Sequence, residues 1–280
     1  MAPLTALIDM STPGDKVIKL FYCTGKAQLG LALCSGTDDK DSEGSLQPPT
    51  QVGDDQYITN PSQMTSINFQ GAEKVFALAT DNPFKVTDRD TRNLAEVSSS
   101  YSRLGNVNIG HTTLTSCTDG DNAWIYFSGA LFERQIGTSQ STQLIWTHDL
   151  WMNSFVCAWY DDQLGKRKII YEGSSLMEYT VAVAPVTSTG DMQRNTPLVV
   201  AFDSGVIWLY YRGRTTSGEI RRTTKVNGTW GQAQTIGSAI ITQDSQLSVV
   251  RANGINHLFY VARDQDESKD DYFVHYLDKD

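Results

Sequence analysis

Gln63, His111, Asn153, Asn195 and Gln246 are neutral hydrogen-bonding side chains, each standing just ahead of a run that reads as a strand. Gathered in one ring they would form a collar of donors and acceptors for a small neutral ligand. The same residue types also cap turns at strand starts. Beside Asn153 lies Trp146-Thr147-His148-Asp149-Leu150-Trp151-Met152-Asn153, the densest aromatic and titratable stretch of the chain. There His111 or His148 would move a proton, Asn153 would donate to a developing charge, and Trp151 would wall an apolar pocket. Two core tryptophans and a surface histidine are the plainer reading. His148 and Asp149 are no ready dyad, because neighbours in an extended strand point to opposite faces.

Other chemistries lack their residues. The four histidines and four cysteines show no ligand spacing for zinc, so no metal is expected. No phosphate-cradling glycine loop, dinucleotide fingerprint or Gly-x-Ser-x-Gly elbow occurs. What remains is binding, orientation and mild acid–base help, with no cofactor.

A repeated element must position these residues. Leu20-Phe21-Tyr22, Ile125-Tyr126-Phe127, Ile169-Ile170-Tyr171, Leu209-Tyr210-Tyr211 and Leu258-Phe259-Tyr260 share one aliphatic and two mostly aromatic positions, with Phe76-Ala77-Leu78 a weaker copy. The copies lie 40 to 56 residues apart and fill the chain. A period of that size with strand composition predicts an all-β fold, a six-bladed β-propeller of four-stranded antiparallel blades. The blades divide at about 1–60, 61–108, 109–150, 151–194, 195–243 and 244–280, one propeller domain in all.

The fifth unit is the clearest. Pro197–Phe202 is apolar throughout, as in an innermost strand buried on both faces, and Asp203-Ser204-Gly205 turns into Val206–Arg212. Glu219–Lys225 is a third strand, Val226-Asn227-Gly228 a hairpin signal, and Trp230–Ile236 an outer strand. Inner strands elsewhere are predicted at Leu4–Asp9, Met64–Phe69, Thr112–Thr118, Ser154–Tyr160 and Leu247–Ala252. The last blade ends on a third strand, Tyr272–Leu277, and lacks a fourth; no helical stretch of useful length appears.

Ile207-Trp208-Leu209-Tyr210-Tyr211-Arg212, Gly218-Glu219-Ile220-Arg221-Arg222 and Gly228-Thr229-Trp230 together resemble a blade of the fungal fucose-specific lectins. The resemblance implies a six-bladed propeller with sugars between adjacent blades. An Arg ahead of the second-strand pair and a Glu on the third strand would grip sugar hydroxyls, and a nearby Trp or Tyr would stack on the sugar. In this chain the Arg position holds Lys19, Trp124, Lys168, Trp208 and His257. The Glu position holds Glu133 and Glu178 in blades three and four, and Arg222 in blade five. No blade keeps both partners. Lys168, Glu178, Trp208 and Trp230 are the best sugar-binding candidates, although lysine lacks the fork of arginine.

Broken sugar pairs beside a neutral collar are similar to a second fungal group, the cofactor-free natural-product cyclases that include hetero-Diels–Alderases. That resemblance implies an enzyme holding two apolar, terpene- or polyketide-like reactants in a near-attack pose. His111, His148 and Asn153 would be catalytic, and Gln63, Trp151, Asn195 and Gln246 would bind substrate. The expected function is such a cycloaddition, with a carbohydrate-binding lectin as the alternative.

The bulk numbers fit either small-molecule partner. A net charge of -9 repels phosphate backbones and argues against nucleic acid. No apolar run is long enough to cross a membrane as a helix. The first residues show no basic region ahead of an apolar one, so the expected location is cytoplasmic. Cys23, Cys34, Cys117 and Cys157 read as buried thiols, with a Cys23–Cys34 pairing as the alternative.

Overall fold

A computed structural model describes residues 3–38, 46–47, 50–53, 57–87, 92–98, 102–106, 111–127, 130–144, 150, 154–180, 182–214, 218–242, 245–262 and 273–279. The strands form six antiparallel sheets in a ring, a six-bladed β-propeller. The innermost strands are Leu4–Ile8, Met64–Phe69, Leu114–Thr118, Val156–Asp161, Leu198–Asp203 and Ser248–Ala252. Each packs beside the next, and the last returns to the first.

Every triplet lies on the second strand of its blade: Val17–Cys23, Ala72–Thr80, Ala123–Phe127, Lys166–Glu172, Val206–Arg212 and Ile255–Tyr260. Its residues are almost all buried, aromatic and aliphatic alike. A second strand is sandwiched between two neighbouring blades, so both of its faces are apolar and period-two alternation is lost. The core is accordingly divided into six slabs, one at each seam. Leu20 and Phe259 share the slab between blades one and six, Trp124 and Ile169 that between three and four, Ile170 and Leu209 that between four and five.

The third strands are Leu29–Ser35, Asn93–Glu96, Phe132–Gln135, Leu176–Tyr179, Glu219–Val226 and Val274–Asp278. The last blade has only these three strands among the described residues. In blade five the fourth position is split, Thr229–Trp230 and Gln234–Ile240 both pairing with Glu219–Val226. In blade two Tyr57–Ile58 extends the sheet beside the end of its second strand. The helical content of the described residues is one 3-10 turn, Pro83–Lys85.

The alternative of a Cys23–Cys34 bridge is corrected by register. Cys23 faces Leu29 and Cys34 faces Ile18, so the two lie at opposite ends of one hairpin, beyond disulfide reach. All four cysteines are free thiols.

Candidate functional site

First strands all begin at one face of the ring, and the turns that end them lie at the other. The predicted collar belongs to the first face, and its two glutamines bond to the backbone of other blades. Gln246 Oε1 accepts from Leu4 N at 3.2 Å and Met64 N at 2.9 Å, while its Nε2 donates to Met64 O at 2.7 Å. Gln63 Oε1 accepts from Leu114 N at 3.0 Å, and its Nε2 donates to Val156 O at 3.4 Å. Each glutamine therefore ties inner strands of two other blades across the channel. Both are buried, and these bonds engage the oxygen and the nitrogen of each side-chain amide.

His111 is half-buried and burial lowers its pKa; its carbonyl accepts from Arg92. Asn195 sits at φ 54 with its N–H donating to the buried Glu172 carboxylate at 2.9 Å. His148, Trp151 and Asn153 lie outside the described residues.

The opposite face is built on strand register. In five blades the residue before the triplet and a third-strand residue diagonal to it point the same way, toward the next blade; in blade two, where Val75 packs against blade one, the parity is shifted by one residue. Register fixes the six pairs as Lys19/Leu31, Lys74/Glu96, Trp124/Glu133, Lys168/Glu178, Trp208/Arg222 and His257/His275. Only blades two and four are alike, each with a lysine and a glutamate. In blade two Lys74 Nζ lies 2.8 Å from Glu96 Oε1. Lys19 is held by Asp9 at 3.0 Å and by Glu73 of blade two at 2.7 Å. His257 Nδ1 lies 3.0 Å from His275 Nε2. Trp208 lies beneath the Arg251 guanidinium, 4.2 Å from the ring centre, against blade six.

Lys168, Glu178 and Trp230, three of the four predicted sugar-site residues, do come together between blades four and five. Lys168 Nζ stands 3.0 Å from Asp161 and 3.6 Å from Glu178. Glu178 Oε2 also accepts from Lys225 at 2.6 Å and from the Trp230 indole at 3.1 Å. A cavity of about 460 Å³ lies above this cluster. The cluster is internally neutralised, and the Lys168 side chain is only 8% exposed. The fourth candidate, Trp208, belongs to the next seam.

A second cleft, of about 510 Å³, opens between blades three and four and is lined by Asn122, Trp124, Gln135, Tyr160, Lys166 and Arg167. Arg167 Nη1 donates to Glu133 Oε1 at 2.8 Å, and its side chain is 38% exposed against 14% for Glu133. Its guanidinium lies 4.6 Å from the Trp124 ring centre. Trp124 and Tyr160 are parallel to within 9° with centroids 6.2 Å apart. Tyr160 and Arg167 are opposite one another on neighbouring strands of blade four. An Arg/Glu pair beside aromatic rings is thus assembled across a seam, with the arginine from the following blade. Sequence reading missed Arg167 and Tyr160. The available signal was parity: Arg167 precedes Lys168, so it points to the other face of blade four, toward Glu133.

The fold is shared with solved structures of low sequence identity. The Aleuria aurantia lectin in complex with Fucα1-6GlcNAc superimposes with a TM-score of 0.63 at 12% identity, over 93% of this chain and 88% of that one. AofleA from Arthrobotrys oligospora gives a TM-score of 0.64 at 11% identity, over 94% and 80%. No protein-family model matches the chain, and no curated protein sequence matches it significantly.

Proposed function

We propose that this chain is a carbohydrate-binding propeller whose ligand enters the cleft between blades three and four. The observation that carries the reading is the Glu133–Arg167 pair at 2.8 Å, set at the cleft beside Trp124 and Tyr160. Arg167 keeps donors beyond the one bound to Glu133, and the Glu133 carboxylate, which also meets the Tyr126 hydroxyl, has lone pairs beyond those two contacts. A donor and an acceptor side by side match adjacent hydroxyls of a sugar ring, each of which both gives and takes a hydrogen bond. Half-buried Tyr160 offers an apolar surface for the sugar C–H face. Support also comes from the Aleuria aurantia lectin, a protein of the same fold crystallised with a fucoside.

The cofactor-free cyclase expectation finds less support. The two clefts just described lie between blades, away from the channel mouth, and the collar glutamines are bonded to backbone.

Glycan-array screening followed by calorimetry tests the proposal. Arg167→Ala is expected to lower affinity for the recognised glycan about ten- to a hundredfold, the worth of one charge-assisted hydrogen bond at about 1.5–3 kcal/mol. Its melting temperature should stay close to the wild type, since an ion pair with one exposed partner contributes about 0–1 kcal/mol. A silent array at millimolar sugar would remove the reading.

A further inference from the structure

We propose that the cleft between blades four and five is a subsite for the apolar part of an amphiphilic glycoside, whose sugar lies in the neighbouring cleft between blades three and four. The inference rests on the carbohydrate reading and adds the chemical class of the ligand.

One turn walls both clefts. Gly165 and Lys166 line the first, while Asp161, Gln163 and Leu164 line the second. Gly165, at φ 62, has no side chain, and a Cβ built there would meet the Tyr160 hydroxyl at 3.8 Å. The crest between the clefts is therefore low at the point where it borders the Tyr160 side of the sugar site.

The second cleft is polar at its floor, but that floor is closed to a polar ligand. Lys168 is held by Asp161 and Glu178, and Lys225 is held by Glu178, whose same oxygen takes the Trp230 indole. Neither ammonium is left to recruit an anion. Beside Gln163, Ser204 and Asn227, the cleft offers a ligand the aliphatic groups of Leu164, Val206 and Val226. Leu164 is 59% exposed and Val226 47%, one from the blade-four turn and one from the blade-five hairpin, lining the same cavity. Single exposed aliphatic residues are ordinary, but two lining one cleft from facing blades gain by covering. Packed sheets lie about 10 Å apart, so a ligand crossing one blade needs roughly the reach of an octyl chain.

Calorimetry with methyl and octyl α-L-fucoside, both below the micellar concentration, tests this. In the wild type the octyl glycoside is expected to bind at least tenfold more tightly than the methyl one. In the Leu164→Ser/Val226→Ser double variant that advantage should shrink below threefold, with methyl fucoside affinity unchanged. Both positions are exposed, and a melting curve checks that the double variant folds. Arg167→Ala should weaken both ligands. Equal affinities in the wild type, or an octyl advantage that survives the double substitution, overturns the subsite and leaves the sugar site standing. Failure of both glycosides to bind at millimolar concentration overturns the subsite and counts against the sugar site with it.

Discussion

Arg222 stands where the lectin resemblance expects a glutamate, and the structure supplies the partner for that inversion. Arg222 Nη1 bonds both carboxylate oxygens of Asp278, at 2.7 and 2.8 Å, and Asp278 also accepts from the Tyr210 hydroxyl at 2.6 Å. Asn256 in turn donates to Tyr210 at 2.7 Å. All four groups are buried, so removing one charge strands the other. Asp278→Ala is expected to cost about 3–5 kcal/mol in urea unfolding, whereas Arg222→Met with Asp278→Leu should lie within about 1–2 kcal/mol of the wild type. A double variant as damaged as the single would show that the network is more than an ion pair. The sequence marked Arg222 as a departure but held no signal for Asp278, because the two lie on different blades. Lys168, Glu178 and Trp230 were legible as a group because they occupy repeat positions. Arg167 was not, because alignment on the residue before each triplet reads only one face of the blade.

Strands are where sequence reading succeeded best. The inner strand predicted at Met64–Phe69 is observed unchanged, and Leu4–Asp9 differs by one residue from Leu4–Ile8. Asn227 and Gly228, at φ 51 and 79, make the two-residue turn that their types imply. The outer strand of blade five was misplaced, since the chain leaves the sheet after Trp230 and rejoins it at Gln234, and outer edges carry little apolar pattern. Gln63 and Gln246 were found by position, and the structure shows both bonded to backbone of other blades. A collar residue and an inter-strand tie look alike in sequence, because the distinction lies in backbone groups 51 to 242 residues away. Their role as ties has a measurable consequence. Gln246→Leu leaves Leu4 N, Met64 N and Met64 O without their partner, at roughly 1–3 kcal/mol for each buried group. A loss of about 3 kcal/mol or more in denaturant unfolding is expected. A ligand-binding glutamine would cost far less, so a stability within about 1 kcal/mol of the wild type would return Gln246 to the collar.

A ring closed without covalent connection depends on the seam where its ends meet. Blade six is built from residues 248–278 and blade one begins at Leu4, so no described strand is exchanged between them. Their seam is held by the slab around Leu20 and Phe259, by Ser248 Oγ accepting from Ala6 N at 2.9 Å, and by the Gln246 tie. It also holds His257 and His275 with ring nitrogens 3.0 Å apart, and Cys34 Sγ 3.6 Å from the second histidine. The groups facing the pair are that thiol, which burial pushes up to about 11, the stacked Phe259 ring, and backbone at Thr37 and Ala252. None carries a negative charge to support an imidazolium. Burial, and for His275 also the neighbouring His257, lowers both histidines to about 4. Below the unfolded value of about 6.5 the unfolded chain binds protons that the folded ring refuses. Stability is therefore full above pH 6.5 and falls with acidification until about pH 4, by on the order of 3 kcal/mol for each group. Urea midpoints between pH 4 and 7.5 should show that slope in the wild type and a flatter one in His257→Asn/His275→Gln. Identical slopes would place the acid sensitivity elsewhere. If the seam is the weak closure, amide exchange at pH 5 should rise first in Leu4–Ile8 and Val274–Asp278, while Leu114–Thr118, on the far side of the ring, stays protected.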